Sequence, residues 1–210
     1  MSSAPRGLAK GERAALLISE CQNRHTDPSF GRGAIAECAA ARGIVPRISA
    51  LAAACRLAKV PVFIAMHTPK ADYDGMIANC VLLHNIKKDA NLYEGSPAAA
   101  LNPLLKTEPG DWVLHRHQGI TDFSGSEIDQ VLRNMRVETV ILTGVSTNVG
   151  VLGNVLDVVN RGMNAVVAED CTAGTPVEHH EYMMRTTYPL ISTVTSSQAV
   201  IEALRARGHG

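Results

Sequence analysis

The sequence predicts a three-layer α/β protein, a six-stranded parallel sheet covered by helices on both sides. Three observations carry this reading. Short, unbroken apolar runs recur along the 210 residues, as fully buried parallel strands tend to show. Segments with apolar residues at spacings of three and four alternate with them, which marks helices with one buried stripe. A βαβ alternation of this kind closes most readily as parallel strands joined by crossover helices.

Residues 1–13 are polar, lack the apolar run of a signal peptide and read as a loosely ordered tail ahead of a single domain spanning 14–210. Ala14-Ala-Leu-Leu-Ile-Ser19 is the first strand. Residues 43–59 place Ile44, Ile48, Leu51, Ala52, Cys55 and Ala58 on one helical stripe. Pro61 then opens a second strand, Val62-Phe-Ile-Ala-Met66, and Trp112-Val-Leu-His115 is a third. The stretch between them is too long for an ordinary connection and reads as a lid or a subunit contact. Within it, 73–86 predicts a short helix with Met76, Ile77, Cys80, Val81 and His84 on one side. Ser126-Glu-Ile-Asp129 reads as a helix cap, followed by Ile128, Val131, Leu132 and Met135 on one face. Residues 139–143 form the most strand-like run of all. A helix over 149–161 stops at Gly162. Ala165-Val-Val-Ala168 is the next strand, 176–187 is helical, 191–195 is the last strand, and Ser196 or Ser197 caps a closing helix.

Composition excludes several classes of partner. Twenty basic residues balance twenty acidic ones, so no basic face for nucleic acid or anionic membrane is implied. No run of eighteen or more apolar residues offers a membrane span. The five cysteines (Cys21, Cys38, Cys55, Cys80 and Cys171) are odd in number, scattered and without a CxxC pair. That fits a reducing cytoplasm, with most of them as small core residues, rather than a disulfide framework or zinc knuckle.

Ligands in parallel α/β sheets sit beyond the carboxyl ends of the strands. The candidates are therefore Ser19-Glu20-Cys21-Gln22, Met66-His67-Thr68, His115-Arg116-His117, Val145-Ser146-Thr147-Asn148 and Glu169-Asp170-Cys171. The run Leu142-Thr-Gly-Val-Ser-Thr-Asn-Val-Gly-Val-Leu152 leads from a buried strand through a tight turn into a helix start, which delivers a residue to a helix N-terminus. The residue delivered is Gly150, which has no side chain. His67 and His117 read as readily as polar rim residues, and His179 and His180 as an exposed helix face. Cys21 and Cys171 follow Glu20 and Asp170 and so point to the opposite pleat face.

These segments resemble the isochorismatase-like hydrolase family of the cysteine hydrolase superfamily, which is Rossmann-like. The likeness runs from Ala14 to about Ala203. It is strongest in Gly144-Val-Ser-Thr-Asn-Val-Gly-Val151, in 157–162 and in Val166-Val-Ala-Glu-Asp-Cys-Thr172. It is weaker in Leu17-Ile-Ser-Glu-Cys-Gln22 and in 123–132. The family's usual site is an Asp, a Lys and a Cys that attacks amides. Here the Asp position holds Glu20 and the Cys position holds Gly150. The Lys position falls on Arg116 when counted from Trp112 and on His117 when counted back from Phe123; Arg116 keeps a cation. Isochorismatase and the phenazine-pathway branch, which Val149-Gly-Val-Leu152 resembles, also carry Gly at the Cys position. They cleave a vinyl ether without a covalent nucleophile.

The resemblance thus implies a cofactor-free hydrolase with Glu20 as general acid, Arg116 as anion clamp and His117 as a second candidate at the same site. Gln22, His67, Val145, Ser146, Asn148 and Gly150 would shape the pocket, with a cis Val145–Ser146 peptide presenting backbone N–H groups. No metal is expected, because Ala65-Met-His67 lacks the Asp of the family's metal-binding pair. The substrate would be a small molecule bearing carboxylates, and the assembly a homodimer or larger. Burial of Glu20 would raise its pKa, pairing with Arg116 would lower it, and a substrate carboxylate taking the Arg would restore the acid. Two rivals stand beside this reading: a non-catalytic binding module of the same fold, and an amidase using Cys21 or Cys171.

Overall fold

The computed structural model describes residues 5–9, 11–30 and 33–207. Its six strands are β1 (Ala14–Ser19), β2 (Val62–His67), β3 (Trp112–Arg116), β4 (Thr139–Val145), β5 (Asn164–Ala173) and β6 (Thr193–Thr195). They form one parallel sheet in the order β3-β2-β1-β4-β5-β6. The chain winds outward from β1 in one direction and from β4 in the other. The crevice beyond their carboxyl ends is therefore the topological switch point, where the first and second halves of the fold splay apart.

Strand pleating divides the core in two. From β1, Leu16 and Ile18 face α2 (Ala34–Arg42), α3 (Ile44–Leu57) and the closing helix α9 (Ser197–Arg207), against Ile48, Leu51 and Val200. Ala15 and Leu17 face the opposite way, toward α5 (Ile128–Asn134), α6 (Gly150–Asn160), α7 (Val177–Thr186) and α8 (Tyr188–Ile191), against Leu132, Val155 and Tyr188. The remaining helices are α1 (Asn23–Thr26) and α4 (Val81–Asp89). A satellite core of Tyr73, Met76, Leu83, Ile86, Leu92 and Ala99 lies under the long β2–β3 connection.

Several boundaries differ from the sequence reading. The helix expected over 73–86 is displaced to α4, because Gly75 (φ 79°) turns the chain and Met76 packs from a loop. The buried stripe is then Leu83 and Ile86, while Ile77 and Val81 are exposed. Helix α2 was not anticipated; Gly43, at φ 59°, ends it and opens α3. Residues 188–191 form α8, so β6 begins at Thr193 rather than 191. The closing helix is capped by Ser196, whose Oγ accepts the Ala199 N–H at 3.2 Å, while Ser197 donates its N–H and hydroxyl to Asp170 at 2.7 and 2.6 Å. In the segment read as a tail, Leu8 is buried in the core; residues 1–4 and 10 lie outside the described residues.

Candidate functional site

Glu20 follows β1 with φ 51°, an uncommon conformation for a residue with a Cβ, and its N–H donates to Ala65 O at 2.9 Å. The turn directs its carboxyl into the switch-point crevice, where Oε1 meets Nη2 of Arg116. Arg116 ends β3 and is only 2% exposed. Its Nε donates to Asp122 Oδ1 at 3.3 Å, and its other N–H groups reach the carbonyls of Gly119 and Ile120. Burial pushes the guanidinium pKa down, and Asp122 opposes that shift. Asp122 is itself held by α6: Asn154 Nδ2 donates to its Oδ2 at 2.7 Å, and Asn154 Oδ1 accepts its N–H at 2.8 Å. Two carboxylates thus share one buried guanidinium.

Two imidazoles complete the polar wall. His25, on α1, places Nε2 at 3.6 Å from Glu20 Oε2. Burial, then Arg24 and His67, hold its pKa down to about 3. Burial, then His117 and Arg24, hold His67 down to about 4. Both rings are therefore neutral at ordinary pH. The Val145–Ser146 peptide is cis, as the family resemblance implied. Beyond it, Ser146 O accepts the N–H groups of Val149 (3.1 Å) and Val151 (2.9 Å), which fixes the entry into α6. Gly150 is the first residue of that helix; a Cβ there would stand 3.1 Å from Val145 O.

Glu20, His25, His67, Arg116, Ser146 and Gly150 surround one pocket of about 260 Å³. Val145 and Asn148 also border it, with Leu83 and Ile86 of α4 as an apolar wall. The Asn148 side chain donates to Thr175 O at 3.2 Å, so its amide also ties the turn to the β5 loop. A larger and more open cavity of about 1170 Å³ lies at the other end of the sheet around Leu57, Pro61 and Met135. None of the candidate residues borders it, and it sits at the strand ends where this topology does not bind ligands. Among the described residues, no three His, Cys, Asp or Glu side chains are grouped to hold a metal.

Three sequence expectations need correction. The cation at the site is Arg116 and not His117: alternate strand residues point to opposite faces, so His117 is exposed and its Nδ1 contacts Thr68 O. Gln22 does not face the pocket. Its amide clamps β1 to β2, donating to His67 O at 2.9 Å and Ala99 O at 2.8 Å and accepting the His67 N–H at 2.9 Å. His180, expected on an exposed face with His179, is buried against Thr147 Oγ1 at 3.2 Å. Cys21 and Cys171 lie in the core as their pleat direction implied. Burial raises both thiol pKa values, Cys171 to about 12, so neither offers a thiolate.

His25, Asp122 and Asn154 escaped the sequence reading. Asn154 had a legible signal, a polar residue on the apolar stripe of Val151, Val155 and Val158. Asp122 stands one residue outside the motif that begins at Phe123, and His25 sits in a four-residue helix with no periodicity to read.

Known proteins share this arrangement at the level of fold and family. A solved cysteine hydrolase of Pseudomonas syringae superposes with a TM-score of 0.83 over 98% of this chain and 99% of its own, at 20% identity. An isochorismatase family protein of Burkholderia thailandensis does so at 0.78, over 97% and 100%, at 22% identity. In sequence, the uncharacterized isochorismatase family protein YecD of Escherichia coli O157:H7 is 30% identical over 163 residues, 77% of this chain and 83% of that protein. Maleamate amidohydrolase of Pseudomonas putida is 25% identical over 198 residues, 93% and 88% of the two chains. The isochorismatase domain model matches residues 14–199, nearly the whole sheet and its helices, and the chain therefore belongs to the isochorismatase family of hydrolases.

Proposed function

We propose that this protein hydrolyses a small, carboxylate-bearing vinyl ether by general-acid catalysis without a thiol nucleophile, as the Gly-bearing branch of the family does. The observation that carries the reading is the pairing of Glu20 and Asp122 with a single guanidinium in a pocket whose nucleophile position is Gly150. Formal charges leave one carboxylate in excess. Asp122 is fully buried and also takes the Asn154 amide, whereas the Glu20 side chain is 15% exposed at the pocket wall. Glu20 is thus the carboxyl that a ligand in the pocket can reach. A substrate carboxylate entering beside it would add a negative charge, which favours a neutral carboxyl there.

Protonated Glu20 would give its proton to the enol carbon. Water would add to the resulting oxocarbenium carbon, and the hemiketal would collapse to pyruvate and an alcohol. Arg116 offers charge to the substrate carboxylate and cannot itself move a proton. These steps draw only on proton transfer and water, so the reading is cofactor-free. Incubation with isochorismate-like vinyl ethers and with amides, following pyruvate and ammonia, tests it. Pyruvate release is expected, falling by about 10²-fold or more in Glu20→Gln.

One observation favours a second reading. Four of the five N–H groups of Arg116 are engaged by Glu20, Asp122 and two carbonyls, as in a largely closed structural cluster. If neither product forms, and Glu20→Gln leaves ligand binding unchanged, the protein is a non-catalytic binding module. Five unpaired cysteines support a reducing, cytoplasmic setting. Exposed apolar side chains on the β2–β3 connection, Ile77, Val81 and Leu82, support a homodimer or larger assembly, which light scattering would measure.

A further inference from the structure

We propose that His115 and His117 form a surface site for a divalent metal that favours imidazole, such as Zn²⁺ or Ni²⁺, separate from the pocket. Both residues are exposed at the carboxyl end of β3 and stand two apart, the spacing that puts strand side chains on one face. Arg116 between them points the other way, to Glu20. The pair thus shares a strand end with the pocket but presents to the opposite face. β3 is also the edge of the sheet, so no further strand covers its outer side.

Both rings hang on one residue. Thr68 follows β2, is buried, and donates its N–H to Arg116 O at 2.8 Å, opposite the midpoint of the pair. Its Oγ1 lies 3.2 Å from His115 Nδ1, and its carbonyl oxygen meets His117 Nδ1. A carbonyl can only accept, so His117 carries its proton on Nδ1 and presents a lone pair at Nε2. The Thr68 hydroxyl takes either role, and it accepts from His115 Nδ1 when Nε2 of that ring ligates. Metal-ligating histidines ordinarily donate their other ring N–H to an oxygen, which fixes tautomer and ring orientation. Here that outer layer is built from a single buried threonine. Neither Nε2 has a hydrogen-bond partner among the described residues. Imidazole suits Zn²⁺, Ni²⁺ and Cu²⁺, whereas Mg²⁺ and Ca²⁺ take oxygen ligands. Among the described residues no third His, Cys, Asp or Glu joins the pair, so water would complete the shell.

The test is calorimetric titration of the untagged full chain with Ni²⁺ and, separately, with Mg²⁺. One Ni²⁺ per chain is expected, and no Mg²⁺. Two linked imidazoles gain over one through effective concentration, so His115→Asn and His117→Asn should each weaken Ni²⁺ binding about 10²-fold. Thr68→Val removes Oγ1 and keeps the carbonyl, and should weaken it about tenfold. Asn in place of His84 and His179, which are exposed, or of His209, outside the described residues, should leave the affinity unchanged. In wild-type protein labelled with ¹⁵N-histidine, Zn²⁺ should move the Nε2 resonances of His115 and His117 and leave their Nδ1 protonated, a readout that needs no variant. Absence of Ni²⁺ binding overturns the proposal, as does an affinity that survives both substitutions or falls instead with His84, His179 or His209. Zn²⁺ shifts confined to other histidines overturn it too. No turnover is measured, so the outcome is independent of the catalytic reading.

Discussion

At the scale of single residues, the site is governed by how charge is shared around Arg116. Asp122→Asn keeps the shape of the side chain but leaves Glu20 as the only anion beside the guanidinium, which holds Glu20 ionised and removes the acid. The variant should lose about 10²-fold or more in pyruvate release and about 3 kcal/mol in stability by denaturant titration, because a buried charge loses a partner. Equal activity in wild type and variant would show that the second carboxylate is idle. Gly150→Cys probes the same pocket from the other side. Its Cβ would need Val145 O, 3.1 Å away, to give by a few tenths of an ångström, and the thiol would stand at a helix N-terminus near Arg116. Four of the natural cysteines are buried, and Cys80 alone is partly exposed. In a Cys80→Ser background, native protein should resist iodoacetamide, and adding Gly150→Cys should create one alkylated site by mass spectrometry. Glu20, Arg116 and Gly150 were legible because each ends a strand or opens a helix inside a recognisable run. The choice between Arg116 and His117 was not, because a one-residue ambiguity in counting decides which pleat face is inward.

Among the elements, α4 is the one whose stability is least tied to the sheet. It covers the pocket with Leu83 and Ile86, yet it rests on a satellite core of six buried residues rather than on either main core. Its C-terminal end is pinned by Arg24, which bonds Asp89 at 2.7 Å and also reaches Asn91. Regions with few buried contacts open at lower free energy than core strands. Amide exchange in α4 should therefore be faster than in β1 and β4, slow when a carboxylate ligand fills the pocket, and accelerate in Arg24→Ala. Uniform exchange rates in α4 and the sheet would contradict this. Its position escaped the sequence because the apolar spacing at Met76, Ile77, Cys80 and Val81 imitates a helix. Gly75 and the satellite core take Met76 into a loop instead.

For the molecule as a whole, three histidines couple folding to pH. Burial is the main cause that holds His25 near 3 and His67 and His180 each near 4, with cationic neighbours adding to it, against an ordinary 6.5. The folded state keeps all three neutral while the unfolded chain protonates them, so the unfolded state binds more protons between pH 6.5 and about 4. Stability is then full above about pH 6.5 and falls as pH drops through that window. The limiting slope is three protons, or about 4 kcal/mol per pH unit at most. Denaturant titrations at stepped pH should show this, with His180→Gln removing about one proton from the slope. A flat profile between pH 7 and 5 would refute it.

The sequence by itself determined the layered parallel sheet, the succession of its six strands and the strand ends that could carry chemistry. Strand hydrophobicity and helical spacing are local consequences of burial and are written residue by residue. Only the tertiary structure decided that Arg116 faces inward and His117 outward, that Asp122 and Asn154 complete the charge cluster, and that His25 joins His67 at the wall. Those placements depend on strand register and on contacts between segments as far apart as residues 20 and 116, which no local pattern encodes.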